Sequence, residues 1–405
     1  MPDASSAVFL RHLTPRNFLS FGPENAGMDL QALNLLIGPN GSGKSNLIEA
    51  ISLMRSAPRE FREVTRKGGG VTEWVWKGKP NTPASVEWLV EYPGELNKTC
   101  PGPGRPPIRH FVSFHPVSQV FALDDERVEA NERRNPGSDD VYFYYRFQNG
   151  QPVVNTLQER KRRLSRETMD PNRSILAQRR DPETYPELAW LAQSYEKIRI
   201  YREWAFGRSA VFREPQKADV RNDALEEDFS NLGLFLNRLK TRHPSAKREI
   251  LEGLKDLYEG ITDFDVLVEG GTVQVFFTEG DFSIPATRLS DGTLRYLCLL
   301  AILCDPTPPP LVCIEEPELG LHPDIMPKVA ALLVKASERT QIIATTHSDI
   351  LVDAMSDMPE RVVVCEKHDG KTEMNRLSQA NLGKWLEKYR LGQLWIEGEI
   401  GGKRW

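Results

Sequence analysis

Gly38-Pro39-Asn40-Gly41-Ser42-Gly43-Lys44-Ser45 is the stretch on which the reading of this chain turns. It has the form GxxxxGK[ST]. An apolar run over 32–37 precedes it, and Lys44–Met54 follows with Leu47, Ile48, Ile51 and Leu53 at helical spacing. Glycines let such a loop curl so that successive N–H groups face phosphates, at the positive end of the helix that follows. In that geometry Lys44 reaches the β- and γ-phosphates of a nucleotide and the Ser45 hydroxyl binds Mg²⁺. The strand before and the helix after exclude a chance glycine-rich turn. Gly38, Pro39, Asn40, Gly41, Ser42, Gly43, Lys44 and Ser45 are therefore the expected nucleotide-binding residues.

Two later apolar runs also end in reactive groups. Leu311–Ile314 leads into Glu315-Glu316. A carboxylate at the end of such a strand holds Mg²⁺, and the next can orient the attacking water as a base. Glu315 is thus the expected metal residue and Glu316 the expected catalytic one, while Glu318 receives no role. Gln341–Thr345 leads into Thr346-His347 and begins 25 residues after Glu316, room for one helical crossover. It should lie beside the acidic strand. His347 is then in reach of a γ-phosphate or the attacking water, and joins the catalytic set.

Outward from these runs, strands are expected at 8–13, at Ser85–Tyr92 and at Val141–Phe147, the last two forming an antiparallel lobe. Pro101–Pro107 and the charged Asp124–Asp140 read as loops. Gln158–Glu259 reads as mostly helical, with Tyr185–Trp204, Asn231–Arg242 and Ala246–Glu259 clearest, and a hairpin follows across Glu269-Gly270-Gly271. From residue 291 helix and strand alternate up to 366, which predicts a mostly parallel sheet. A helix near 378–389 opens the tail. The expected division is 1–157, with the phosphate loop and β lobe; 158–260, mainly helical; and 261–405.

Composition sets limits. The net charge of −5 carries no overall basic footprint, so contact with nucleic acid would need a local patch. Gln158–Arg180 supplies one, with eight bases against three acids; a DNA-facing surface and a solvated helix face both fit it. The five cysteines form no CxxC pair and read as buried, reduced thiols. No secretory pattern and no apolar run of about 18 residues occurs, which predicts a cytoplasmic chain without a membrane segment. Zinc spacing is absent, and no further acidic cluster suits a nuclease. Phe18 and Phe21 fit either an adenine contact or the core.

GPNGSGKS, LSDGT, IEEPELGLHP and ATTHS, in that order, resemble the ATPase head of the ABC type. Read alone, Ser290-Asp291-Gly292 is a capped helix start; in this order it stands where the family has LSGGQ. The gap of 245 positions between Ser45 and Ser290, the opening LTPRNFLSF and the run EEPELGLHP are similar to the SMC/RecF/OLD-like lineage and its predicted AAA family ATPases, rather than to transporter subunits. The resemblance implies a P-loop NTPase head with a mostly parallel sheet, an antiparallel β lobe and a helical insertion. It implies ATP hydrolysis with Mg²⁺ and a homodimer that sandwiches ATP, Ser290 and Gly292 of one copy contacting the γ-phosphate held by the other. The loop from Glu318 to Leu321 would cross that interface. Three departures stand out: Glu315 where transporters have Asp, Asp291 in place of a glycine, and no glutamine between Ser45 and Gln119; Gln178, after the β-rich lobe and before a helix, reads either as a substitute for the family's Q-loop or as a surface helix glutamine. Roles implied by likeness are DNA transactions or phage defence with a nuclease partner; the alternative is an ATP-switched interaction protein that binds no DNA.

Overall fold

A computed structural model of the chain describes residues 7–92, 107–131, 141–148, 151–156, 162–164, 169–205, 207, 210 and 213–402. Leu33–Ile37, Leu311–Glu315 and Gln341–Thr345 have almost no polar side chain to present to water, and all three become interior strands. Among the described residues they belong to a six-stranded sheet in the order Arg199–Tyr201, Leu311–Glu315, Gln341–Thr345, Leu33–Ile37, Val362–His368, Lys371–Arg376. Every neighbouring pair is parallel except the last. A sheet of this kind is covered on both faces, which is why its strands read as unbroken apolar runs. Leu36, Cys313, Ile343, Val363 and Cys365 enter one core with the phosphate-loop helix Lys44–Ser56 and the β lobe. Leu35, Ile37, Val312, Ile314 and Ala344 enter a second core with the helices Leu232–Arg242, Pro244–Leu257, Asp291–Leu303 and Met326–Ala336.

The expected antiparallel lobe is present and larger than the sequence suggested. Eight strands form it among the described residues, and every pair in it is antiparallel. The mostly parallel description therefore holds for the six-stranded sheet and not for the largest one. Ala84–Val90, and Ile108–Val117 as far as Phe114, bury every second side chain, as a sheet with one face on a core requires. A third sheet carries the expected hairpin, Ile261–Glu269 with Thr272–Glu279, turning at Gly270 and Gly271.

Several expectations need correction. Asp124–Asp140 is not a loop at its start: Val120–Ala130 is a long strand, and 132–140 lie outside the described residues. Its acids misled the reading because partners across the sheet satisfy them. Buried Glu126 accepts from the Ser174 hydroxyl and the Ile175 amide and faces His110 at 3.1 Å, and buried Glu129 pairs with Arg109 and Arg146. The helix expected over Tyr185–Trp204 stops at Lys197, and Arg199–Tyr201 turns into the edge strand beside Leu311–Glu315. Segment 158–260, expected to be mainly helical, thus also contributes a strand to the central sheet. The tail holds two helices, Gln379–Leu386 and Leu391–Glu397.

Phe18 and Phe21 belong to the core, at 0% and 1% exposure, with Phe18 packed edge-on against Trp74 and Phe114. Cys298, Cys304, Cys313 and Cys365 are buried free thiols; burial pushes the Cys365 thiol up to about 12, and Cys100 lies outside the described residues. No described helix is long and apolar enough to cross a membrane.

Candidate nucleotide site

Strands that run parallel finish at the same edge of their sheet, and loops at that edge are where such sheets bind ligands. Here the edge collects the loop after Ile37, the acids after Ile314, the histidine after Thr345 and the segment after Tyr201. Gln341–Thr345 lies between the other two motif strands, bonded to both, so the histidine does stand beside the acids.

The phosphate loop needs its glycines for space as well as for conformation. Gly38 has φ 143°, and a Cβ there would sit 2.1 Å from the Cys365 carbonyl oxygen. Gly43 has φ 100°, and a Cβ would meet Thr372 Oγ1 at 2.2 Å. Thr372 is a brace the sequence did not reveal: its hydroxyl donates to the Ser42 carbonyl at 2.9 Å and pairs with Ser20 Oγ at 2.6 Å. Lys44 is buried to 7% exposure, and its ammonium donates to the carbonyls of Gly38 at 2.7 Å and Pro39 at 3.0 Å. Desolvation lowers its pKa, against the opposing pull of Cys365, Glu316, Glu318 and Glu315.

The expected metal residues meet. Ser45 Oγ donates to Glu315 Oε2 at 3.2 Å across a separation of 270 positions. Burial pushes the Glu315 carboxyl above the usual range, and Arg202 and Ser45 counter it. A hydroxyl and a carboxylate are hard oxygen donors that suit Mg²⁺, which is ordinarily held by one or two protein carboxylates and the substrate's phosphates. No group of three His, Cys, Asp or Glu side chains able to hold a metal gathers among the described residues, so a cation here draws its remaining ligands from nucleotide and water.

Glu316 takes up a left-handed backbone, φ 50°, at a strain of about 1–3 kcal/mol. Its amide donates to the Thr345 carbonyl at 3.0 Å and to Thr345 Oγ1 at 3.2 Å, which holds the turn in place. The carboxylate is thereby aimed at His347, whose Nε2 lies 3.9 Å from Glu316 Oε1.

The remaining candidates lie elsewhere. Gln178 ends the short helix Ile175–Gln178, and its amide bonds the backbone of Asp170, Arg173 and Ser174; none of these bonds reaches the phosphate loop. Arg202 is the side chain the structure brings to the acidic strand. It pairs with Glu49 of the phosphate-loop helix at 2.5 Å and lies 3.4 Å from Glu315 Oε1. Two places on, Trp204 Nε1 donates to the Glu315 carbonyl at 2.7 Å. The signal for Arg202 was a charged residue directly after the short apolar run Ile200-Tyr201, hidden inside what read as one helix.

Ser290 caps the helix Asp291–Leu303 by accepting from the Thr293 amide at 3.1 Å, and is itself exposed. Gly292 lies against Gly320, where a Cβ would stand 3.4 Å from the Gly320 carbonyl oxygen. Asp291, in the place of a glycine, pairs with Arg213 at 2.5 Å and accepts from the Gly207 amide. Among the described residues the hydrogen bonds of Ser290 are confined to its own helix. Part of the basic segment 158–180, including Arg160, Lys161 and Arg166, lies outside the described residues.

The family model described as "AAA domain, putative AbiEii toxin, Type IV TA system" matches residues 33–87 and 78–353. The chain belongs to that AAA-domain family. No curated protein matches the sequence. Among solved structures, an SMC head bound to the C-terminal winged-helix domain of ScpA is 13% identical, with a TM-score of 0.57 over 92% of this chain and 99% of that one. An Smc head with an extended coiled coil, bound to the C-terminal domain of ScpA derived from Pyrococcus furiosus, is 14% identical, with a TM-score of 0.56 over 94% and 99%. At such identity the likeness shows the fold. This AAA-domain protein has an ABC/SMC-like ATPase head, a fold that supports ATP binding.

Proposed function

We propose that this AAA-domain protein binds ATP with Mg²⁺ in the 38–45 loop, hydrolyses it, and closes as a homodimer around two nucleotides. The observation that carries the reading is the division of the motifs. Lys44, Ser45, Glu315, Glu316 and His347 meet at one sheet edge, while the exposed Ser290 is bonded, among the described residues, only within its own helix. That display supports a reading in which the signature segment serves a second copy. Lys44 and the loop amides of Gly41, Ser42 and Gly43 hold the phosphates. Ser45 and Glu315 hold Mg²⁺, whose contribution is to neutralise charge developing on the phosphate oxygens. Glu316 takes the proton of the attacking water, and His347, facing it, orients that water or the γ-phosphate. Ser290 and Gly292 of the second copy complete the phosphate cage, and the exposed loop at Leu319-Gly320 lies in the interface.

We extend the proposal to a partner carried on the closed dimer, in DNA transactions or phage defence with a nuclease. The Smc heads of the same fold carry a domain of ScpA, a precedent for a second protein seated on such a head. The test is ATP turnover measured against protein concentration, with and without duplex DNA, beside light scattering. Turnover should rise more than linearly near the dimerisation constant and stop in Glu316→Gln, which keeps ATP binding. Linear turnover over a range where only monomer scatters would sink the dimer. Turnover unchanged by DNA favours the switched interaction protein.

A further inference from the structure

Glu318 is the one acid of the IEEPE run without a role in the chemistry above. Pro317 before it limits the backbone, so the side chain is delivered from a stiff turn. Its Oε1 accepts two hydrogen bonds, from Thr346 Oγ1 at 2.8 Å and from the His347 amide at 2.7 Å. Both donors lie in the short connection between the strand Gln341–Thr345 and the helix Asp349–Asp353, and Thr346 Oγ1 also accepts from the Ser348 amide at 3.0 Å. A carboxylate suits the task, because one oxygen with two lone pairs can take donors from consecutive residues. Its Oε2 is buried and has no hydrogen-bond partner among the described residues. Burial raises the carboxyl above the usual range, so the chain tolerates an unfavourable environment to keep an acid at this point.

A bond to the His347 amide fixes the backbone that carries the ring. The end of the acidic strand and the connection that carries the histidine are thus tied twice, through the Glu316 amide to Thr345 and through Glu318 to Thr346 and His347. We propose that Glu318 is a positioning residue that sets the separation of Glu316 and His347, the 3.9 Å pair, by holding the His347 backbone from the acidic side. The proposal rests on the ATPase reading above and touches neither nucleotide nor metal directly.

Glu318→Ala, Glu318→Gln and Glu318→Ala/His347→Ala in the full chain test it, with turnover, ATP affinity and thermal unfolding measured for each. Glu318→Ala should keep ATP affinity and lose roughly 100-fold in kcat, the scale of a misplaced catalytic group. Glu318→Gln keeps an acceptor at Oε1 and should restore most of that rate. His347→Ala should cost little more once Glu318 is Ala, because residues acting as a unit are not additive. If Glu318→Ala does not fold, Thr346→Val removes one of the two donors and should lower kcat in the same direction by less. The proposal is overturned by wild-type kcat in Glu318→Ala, by a Gln variant as slow as Ala, or by losses that multiply independently. Absence of any Glu316-dependent turnover in the unsubstituted protein overturns the ATPase reading instead, and this proposal with it.

Discussion

The sheet edge and the signature segment are held in place by different means. At the edge, side chains are tied across long separations: Ser45 to Glu315, Arg202 to Glu49 and Glu315, Glu318 to Thr346 and His347, Thr372 to Ser42. The signature is held by a local rule, a serine capping its own helix, with Arg213 steadying Asp291 beside it. The edge is therefore pre-organised by tertiary bonds before any ligand arrives, which is what electrostatic stabilisation of a reaction requires. The signature is displayed rather than embedded, and suits a group that must meet another molecule.

The largest expected effect tests the edge. Lys44→Ala should weaken ATP binding by about 2–5 kcal/mol, roughly thirty- to several-thousand-fold in Kd, as for removal of one member of a buried charged pair. Calorimetric titration reads it directly, and unchanged affinity would break the assignment of the loop. The signature is tested next. Ser290→Arg should leave first binding of ATP intact, cost about 1 kcal/mol of helix capping, and abolish turnover by blocking closure. Mixed with Lys44→Ala, it should regain activity, because one composite site in the mixed dimer carries both lesions and the other carries neither. No recovery at any ratio, with mixed dimers shown to form, would break the claim that the signature serves its partner's site.

The smallest effect sharpens the contrast between embedded and displayed groups. Glu318 has its carboxyl raised by burial, so the folded state binds its proton more tightly than the unfolded chain does. Its contribution to stability is present below the unfolded pKa and is lost as pH rises through the folded one. Glu318→Gln should then melt slightly above the unsubstituted protein at pH 8, and the gap should close as pH falls toward the ordinary carboxylate range. A gap that widens on acidification would reverse the sign and show the ionised form to be favoured in the fold.

The motifs were legible because each is written in adjacent residues: a loop between strand and helix, two acids after Ile314, a histidine after Thr345-Thr346. Their partners were not. Thr372 looks like any strand threonine until Lys371–Arg376 folds beside the phosphate loop, and Arg202 looks like a helix residue until Arg199–Tyr201 pairs with Leu311–Glu315. The start of Asp124–Asp140 read as a loop because the partners of its acids, on other strands and at Ser174, come only with the fold.

By itself the sequence determined the buried parallel strands, whose apolar runs are covered on both faces and have no solvent side to compromise, and the glycine loop, whose conformation is a property of its own backbone. Only the tertiary structure decided which charged groups face one another at the sheet edge. Coulombic and hydrogen-bonded pairing depends on distances of a few ångströms between residues more than a hundred positions apart, such as Arg202 with Glu49 and Glu315, and no local spacing encodes that.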